Sequence, residues 1–151
     1  CNLGQMNVER LRSRRFPPAP MRSVPGVIEQ IIDGESLLRQ AITMNQCCAG
    51  PEYVEMIDGG YCFLFSGGGW GLPRCTIEVT AVSEDEAGRR SYAVTQIAGR
   101  DNAPLSAQAL SAIRVWAEDE GLRMDVSSCA PGPHAFPDFR PDRVRRPALR
   151  L

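Results

Sequence analysis

Residues 61–97 read YCFLF (61–65), SGGGWGLPR (66–74), CTIEVTAV (75–82), SEDEAGRR (83–90) and SYAVTQI (91–97). Three β-rich runs separated by two turn-rich segments predict an antiparallel meander. In the second run Cys75, Ile77, Val79 and Ala81 alternate with Thr76, Glu78 and Thr80. That period of two predicts a half-buried strand whose threonines and Glu78 face water. The first run is apolar on both faces, with Tyr61, Phe63 and Phe65 on one and Cys62 and Leu64 on the other. It is expected to be central or covered on both sides. The loop 66–74 carries Gly67, Gly68, Gly69 and Gly71 around Trp70, followed by Leu72. A phosphate-binding loop would need Gly-Lys-Ser/Thr opening a helix, whereas here Pro73 and a strand follow. The glycines instead permit unusual backbone angles. Trp70 is either tucked onto the sheet or presented to a partner, and exposed tryptophans are frequent interface anchors. Trp70 and Leu72 are therefore candidate contacts.

Moving outward, residues 27–44 carry helical spacing at Ile28, Ile31, Ile32, Leu38 and Ile42, interrupted by Gly34. This predicts one helix with a weak point, or a short segment and then a helix from near Glu35. Gly50 and Pro51 stop it, and residues 53–57 suggest a short strand. On the other side, residues 107–120 predict a helix. Ser106 is a fitting N-cap, Leu110, Ile113, Trp116 and Ala117 form a buried stripe, and Gly121 supplies a left-handed C-terminal stop. Glu118, Asp119 and Glu120 oppose the helix dipole in its last turn, which marks them as a candidate contact surface. Residues 122–126 return as a strand. The expected fold is α+β: a single antiparallel sheet of about four or five strands, with the two helices packed on one side.

Charge divides the chain into three. Residues 26–129 hold 15 acids and 7 arginines; residues 1–25 hold five arginines against Glu9, and residues 130–151 five arginines against two aspartates. An acidic domain (26–129) is thus flanked by an anchor and linker (1–25) and a Pro/Arg-rich tail (130–151), both basic, extended and proline-bearing. Arg143, Arg145 and Arg146 are candidate contacts for an acidic partner. An acidic body argues against nucleic-acid binding. No apolar run approaches the length of a membrane span.

Cys1-Asn2-Leu3-Gly4, followed by a polar, arginine-bearing stretch, resembles the mature N-terminus of a bacterial lipoprotein. The resemblance implies acyl chains on Cys1, insertion in the membrane and, with Asn2 rather than Asp next, the periplasmic face of the outer membrane. Acyl burial supplies roughly 0.8 kcal/mol per methylene. Arg10, Arg12, Arg14 and Arg15 would lie near anionic headgroups, and residues 16–20 (FPPAP) would hold the body off the surface. With Cys1 acylated, Cys47, Cys48, Cys62, Cys75 and Cys129 are left as disulfide candidates, enough for two bonds and one thiol, with the pairing open. Zinc-type cysteine spacing is absent. Residues 104–126, from Pro104-Leu105-Ser106 through Trp116-Ala117 to Gly121-Leu122-Arg123-Met124-Asp125-Val126, resemble the helix-then-strand half of the short periplasmic domains of secretins and TonB-dependent receptors.

Catalytic signatures are missing from the sequence: there is no H-E-x-x-H, no G-x-S-x-G, and the lone His134 lies in the proline-rich tail. A carboxylate-only mechanism would need Glu55, Asp58 and Glu78 to converge. The expectation is a non-catalytic protein with no metal or cofactor: a lipid-anchored accessory that binds a protein partner in an envelope complex of secretion, pilus or conjugation type. The alternative is a periplasmic immunity or inhibitor protein that blocks a toxin or hydrolase.

Overall fold

A computed structural model of the chain describes residues 8–46 and 51–124. Five strands form one sheet in the order β1-β2-β3-β4-β5: β1 (Ile28–Gln30), β2 (Cys62–Gly69), β3 (Leu72–Glu84), β4 (Arg90–Gly99) and β5 (Arg123–Met124). The helices are α1 (Val8–Arg12), α2 (Gly34–Met44), α3 (Pro51–Asp58) and α4 (Ala107–Asp119). The class is α+β, as the meander implied. The sheet is mixed rather than wholly antiparallel, because β5 returns after α4 parallel to β4, opposite Ala93 and Val94.

Helices cover both faces of the sheet, not one. On one face α4 sets Ile113, Trp116 and Ala117 against Phe65, Ile77 and Val79. On the other, Leu37, Leu38 and Ala41 of α2 and Tyr53, Val54 and Ile57 of α3 pack on Cys62 and Leu64. The two apolar faces of β2 therefore each find a helical layer. The helix caps behave as their residues dictate: the Ser106 side chain accepts from Ala109 N at 3.1 Å, and Gly121 adopts φ +71°. Asp33 likewise caps α2 by accepting from Ser36 N at 2.7 Å, so the helix starts at Gly34, and Ile28–Gln30 upstream form β1.

Four expectations need correction. Residues 53–57 belong to α3, not to a strand; Tyr53, Val54 and Ile57 share one buried side while Glu52, Glu55 and Asp58 stay exposed. The Thr76, Glu78 and Thr80 face of β3 is buried, not wet, because α2 and α3 lie over it. The glycine stretch is mostly strand: β2 runs to Gly69 and β3 resumes at Leu72, leaving a two-residue turn of Trp70 and Gly71. A Cβ on Gly67 would stand 2.6 Å from Cys75 Sγ, so glycine there permits close packing within the sheet.

The fourth concerns the N-terminal stretch. Residues 8–25, expected as part of an extended linker, pack on the body instead. Leu11, Phe16 and Met21 are buried, and a Cβ on Gly34 would collide with the Leu11 carbonyl, so α1 and α2 meet backbone to backbone. The proline segment is strapped to β1: Gln30 accepts from Ala19 N and donates to the Pro17 carbonyl, both at 3.0 Å. Further along, the Trp116 indole donates to the Arg22 carbonyl at 2.8 Å.

Candidate functional site

The β2–β3 turn is the most exposed apolar feature of the described surface. Trp70 and Gly71 both take positive φ, +53° and +82°, as a two-residue hairpin turn with strands of natural twist requires. Asn or Gly suits the first of these positions; a bulky residue there is strained. Trp70 nevertheless occupies it and is 89% exposed. Gly69 (φ +88°) brings the hairpin against the neighbouring turn at Gly26, whose carbonyl lies 2.7 Å from where a Gly69 Cβ would be. Exposed Val24, Pro25, Pro73 and Arg74 lie on the chain stretches flanking these two turns.

Leu72, grouped with Trp70 by the sequence reading, is only 7% exposed and joins the α4 core. Gly67 pairs with Cys75 and Gly69 with Leu72, so β3 carries one extra residue across this span. That bulge turns Leu72 onto the same face as Cys75. Glu118 and Asp119 are exposed at the end of α4. Glu120 is not available as they are: it accepts from the Arg22 backbone N–H and pairs with the Arg22 guanidinium, which holds its carboxyl below the usual range.

The second concentration of polar groups is buried, between the sheet and α2–α3. Gln40 donates to Thr76 Oγ1 (2.8 Å) and the Cys75 carbonyl (3.2 Å) and accepts from Ser66 (3.1 Å). Thr76 in turn donates to Gln46, whose amide donates to the Ala98 and Gly99 carbonyls at 3.1 and 2.7 Å. Two residues along β3 from Thr76, on the same face, Glu78 is 2% exposed. Tyr53 of α3 donates to its Oε2; Thr80 and Thr95 stand 3.1 and 2.8 Å from Oε1, and 2.7 Å from each other. Thr95 reaches this face through a bulge: Glu78 pairs with Gln96 and Val79 with Val94, leaving Thr95 as the extra residue on β4. Burial raises the Glu78 carboxyl, and its hydroxyl donors counter that only in part.

Glu78 does not meet the other two carboxylates considered with it. Glu55 and Asp58 are exposed on α3, and Asp58 pairs with Arg14. A cleft of about 680 Å³ opens beside Tyr92 and Leu122, but its Arg90 and Glu120 are committed to Glu84 and Arg22. Among the described residues no group of three His, Cys, Asp or Glu side chains is arranged to hold a metal ion.

Cys62 and Cys75 are buried on opposite faces, Cys62 in the α2–α3 core and Cys75 in the α4 core, and no disulfide joins them. Burial pushes the Cys75 thiol up to about 11, the range of an inert core cysteine. Cys1, Cys47, Cys48, Cys129, Arg143, Arg145 and Arg146 lie outside the described residues.

Sequence reasoning singled out Trp70 but not Tyr53 or Thr95. The one signal for them was a glutamate and two threonines alternating within a strand. No family model, curated protein or solved structure matches the chain.

Proposed function

We propose that this is a non-catalytic binding protein that docks on a protein partner through the Trp70 hairpin. The observation that carries the reading is the combination at Trp70: full exposure together with a backbone conformation that asparagine or glycine adopts at lower cost. Among the described residues, neither the turn's backbone nor its packing calls for tryptophan there. A large, rigid aromatic that loses few rotamers on binding suits a protein interface. The likeness of residues 104–126 to secretin and TonB-receptor domains supports an envelope assembly as the partner's setting.

The test separates binding from stability. Trp70→Asn relieves the turn, so the thermal midpoint is expected to hold or to rise, corresponding to about 1 kcal/mol. Capture of the partner from native membranes should fall at least tenfold. Val115→Asn, at another exposed apolar position on α4, should leave both unchanged. Equal capture by Trp70→Asn and the native chain would sink the proposal.

A further inference from the structure

Three oxygens close a triangle in the buried layer: Glu78 Oε1 to Thr80 Oγ1 at 3.1 Å, Glu78 Oε1 to Thr95 Oγ1 at 2.8 Å, and Thr80 Oγ1 to Thr95 Oγ1 at 2.7 Å. Three hydrogen bonds need three hydrogens. Each threonine hydroxyl brings one, so an ionised Glu78 leaves one edge as two lone pairs facing each other in the buried layer. A proton on Oε1 completes the ring, with the carboxyl donating to one threonine, that threonine to the other, and the second back to Oε1. The neighbouring Gln40–Thr76–Gln46 cluster shows the contrast, because there every donor meets an acceptor with no added proton.

The surroundings supply no countercharge. The titratable side chains nearest the ring among the described residues are Tyr53 of α3, which donates to Oε2, and Cys62 of β2, opposite Thr80; the N-terminal segment packed on this layer brings Arg14, whose guanidinium is paired with Asp58 at the end of α3. Leu64 of β2 and Gln96 of β4 flank Glu78 on the neighbouring strands, and both are uncharged. Glu52, Glu55 and Asp58 of α3 and Glu35 and Arg39 of α2 are exposed, and none of these elements sends a cation inward. The cover over Glu78 is α3, a helix of eight residues tied to the carboxyl through Tyr53.

We propose that Glu78 stands as a neutral carboxylic acid inside the closed hydroxyl ring, and that its ionisation as pH rises releases α3 from the sheet. The proton passes to solvent as the helix lifts, and the carboxylate gains water in place of the ring. The device is a pH-sensitive latch on the α2–α3 layer, on the face of the sheet opposite α4.

The sign follows from linkage. A carboxyl raised above its ordinary value of 4.5 when folded contributes stability at low pH. That stability is lost as pH rises from the ordinary value through the folded one. Urea unfolding of the native chain and Glu78→Gln from about pH 5 to about pH 9 should therefore diverge. The native unfolding constant should rise relative to the variant by up to about tenfold per pH unit within that window. A difference flat with pH overturns the proposal. Hydrogen exchange locates the motion: α3 protection, corrected for intrinsic rate, should fall with pH in the native chain and stay level in Glu78→Gln. Equal loss in α3 and α4 would overturn release of α3. If Glu78→Gln does not fold, infrared spectra of the native chain decide. A protonated-carboxyl band should be present at neutral pH and move on Tyr53→Phe, which removes the donor at Oε2. No such band, or one indifferent to Tyr53→Phe, overturns the assignment.

Discussion

Cys75, Ile77, Val79 and Ala81 on one side of β3, and Thr76, Glu78 and Thr80 on the other, are all sealed from water, but they are held in different ways. On the α4 side Cys75, Ile77 and Val79 join an apolar cluster. Its stabilisation scales with buried area, at about 25 cal/mol per Å², and asks for no orientation. On the α2–α3 side the apolar contacts of Leu64 and Cys62 enclose a seam of hydrogen bonds. Each made bond contributes about 1 kcal/mol net, while each one left open costs about 1–3 kcal/mol. The first side tolerates sliding and punishes voids; the second fixes register and punishes unmatched protons. A two-residue period thus reports which side chains share a face. It does not report whether that face is wet.

Substitutions can sharpen the contrast. The largest effect is expected on the apolar side, where Phe65 is fully buried and meets Trp116 edge-on with ring centroids 5.1 Å apart. Phe65→Ala should cost about 3–5 kcal/mol in urea unfolding and leave the pH dependence as it was. Gln40→Leu keeps the volume but strips the donors from Thr76 and the Cys75 carbonyl and the acceptor from Ser66. Its cost should be about 1–3 kcal/mol. A loss as large as that of Phe65→Ala would mean that hydrogen bonds, rather than apolar contact, dominate the second side. The smallest effect is expected for Gly67→Ala, about 1 kcal/mol, since its Cβ displaces chiefly the Cys75 sulfur at 2.6 Å, with Leu72 Cδ2 next at 3.2 Å. Combined with Cys75→Ala, which removes that sulfur, the two losses should add to less than their sum. Strict additivity would show that the glycine is there for another reason.

How much of this was legible follows the same division. The meander, the α4 stripe, the Ser106 cap and the Gly121 stop are local patterns, and the residues carrying them stand where their spacing places them. Trp70 could be marked as a candidate because glycines surrounded it. What lay out of reach depended on distant partners. Nothing in Thr76-Ile77-Glu78-Val79-Thr80 says that Gln40 and Tyr53 come down on it. Nothing in the proline segment at 17–20 says that Gln30 straps it to β1. The short apolar run at 53–57 fits a strand or a helix, and its burial against Leu64 decides for the helix.

The Arg22 carbonyl that receives the Trp116 indole hydrogen has a consequence in time. The strap leaves the ribosome before α4, and two of the side chains that fasten it, Trp116 and Glu120, are made almost a hundred residues later. Until then Met21 lacks the α4 residues of the core it joins, and the α4 side of the sheet stands open. Such long-range closure is slow compared with local helix or hairpin formation. A nascent chain whose meander is complete before α4 emerges would hold its strap by bonds such as those to residues 30–34, without those to Trp116 and Glu120, and its uncovered sheet face is what a chaperone or a misfolding neighbour would meet.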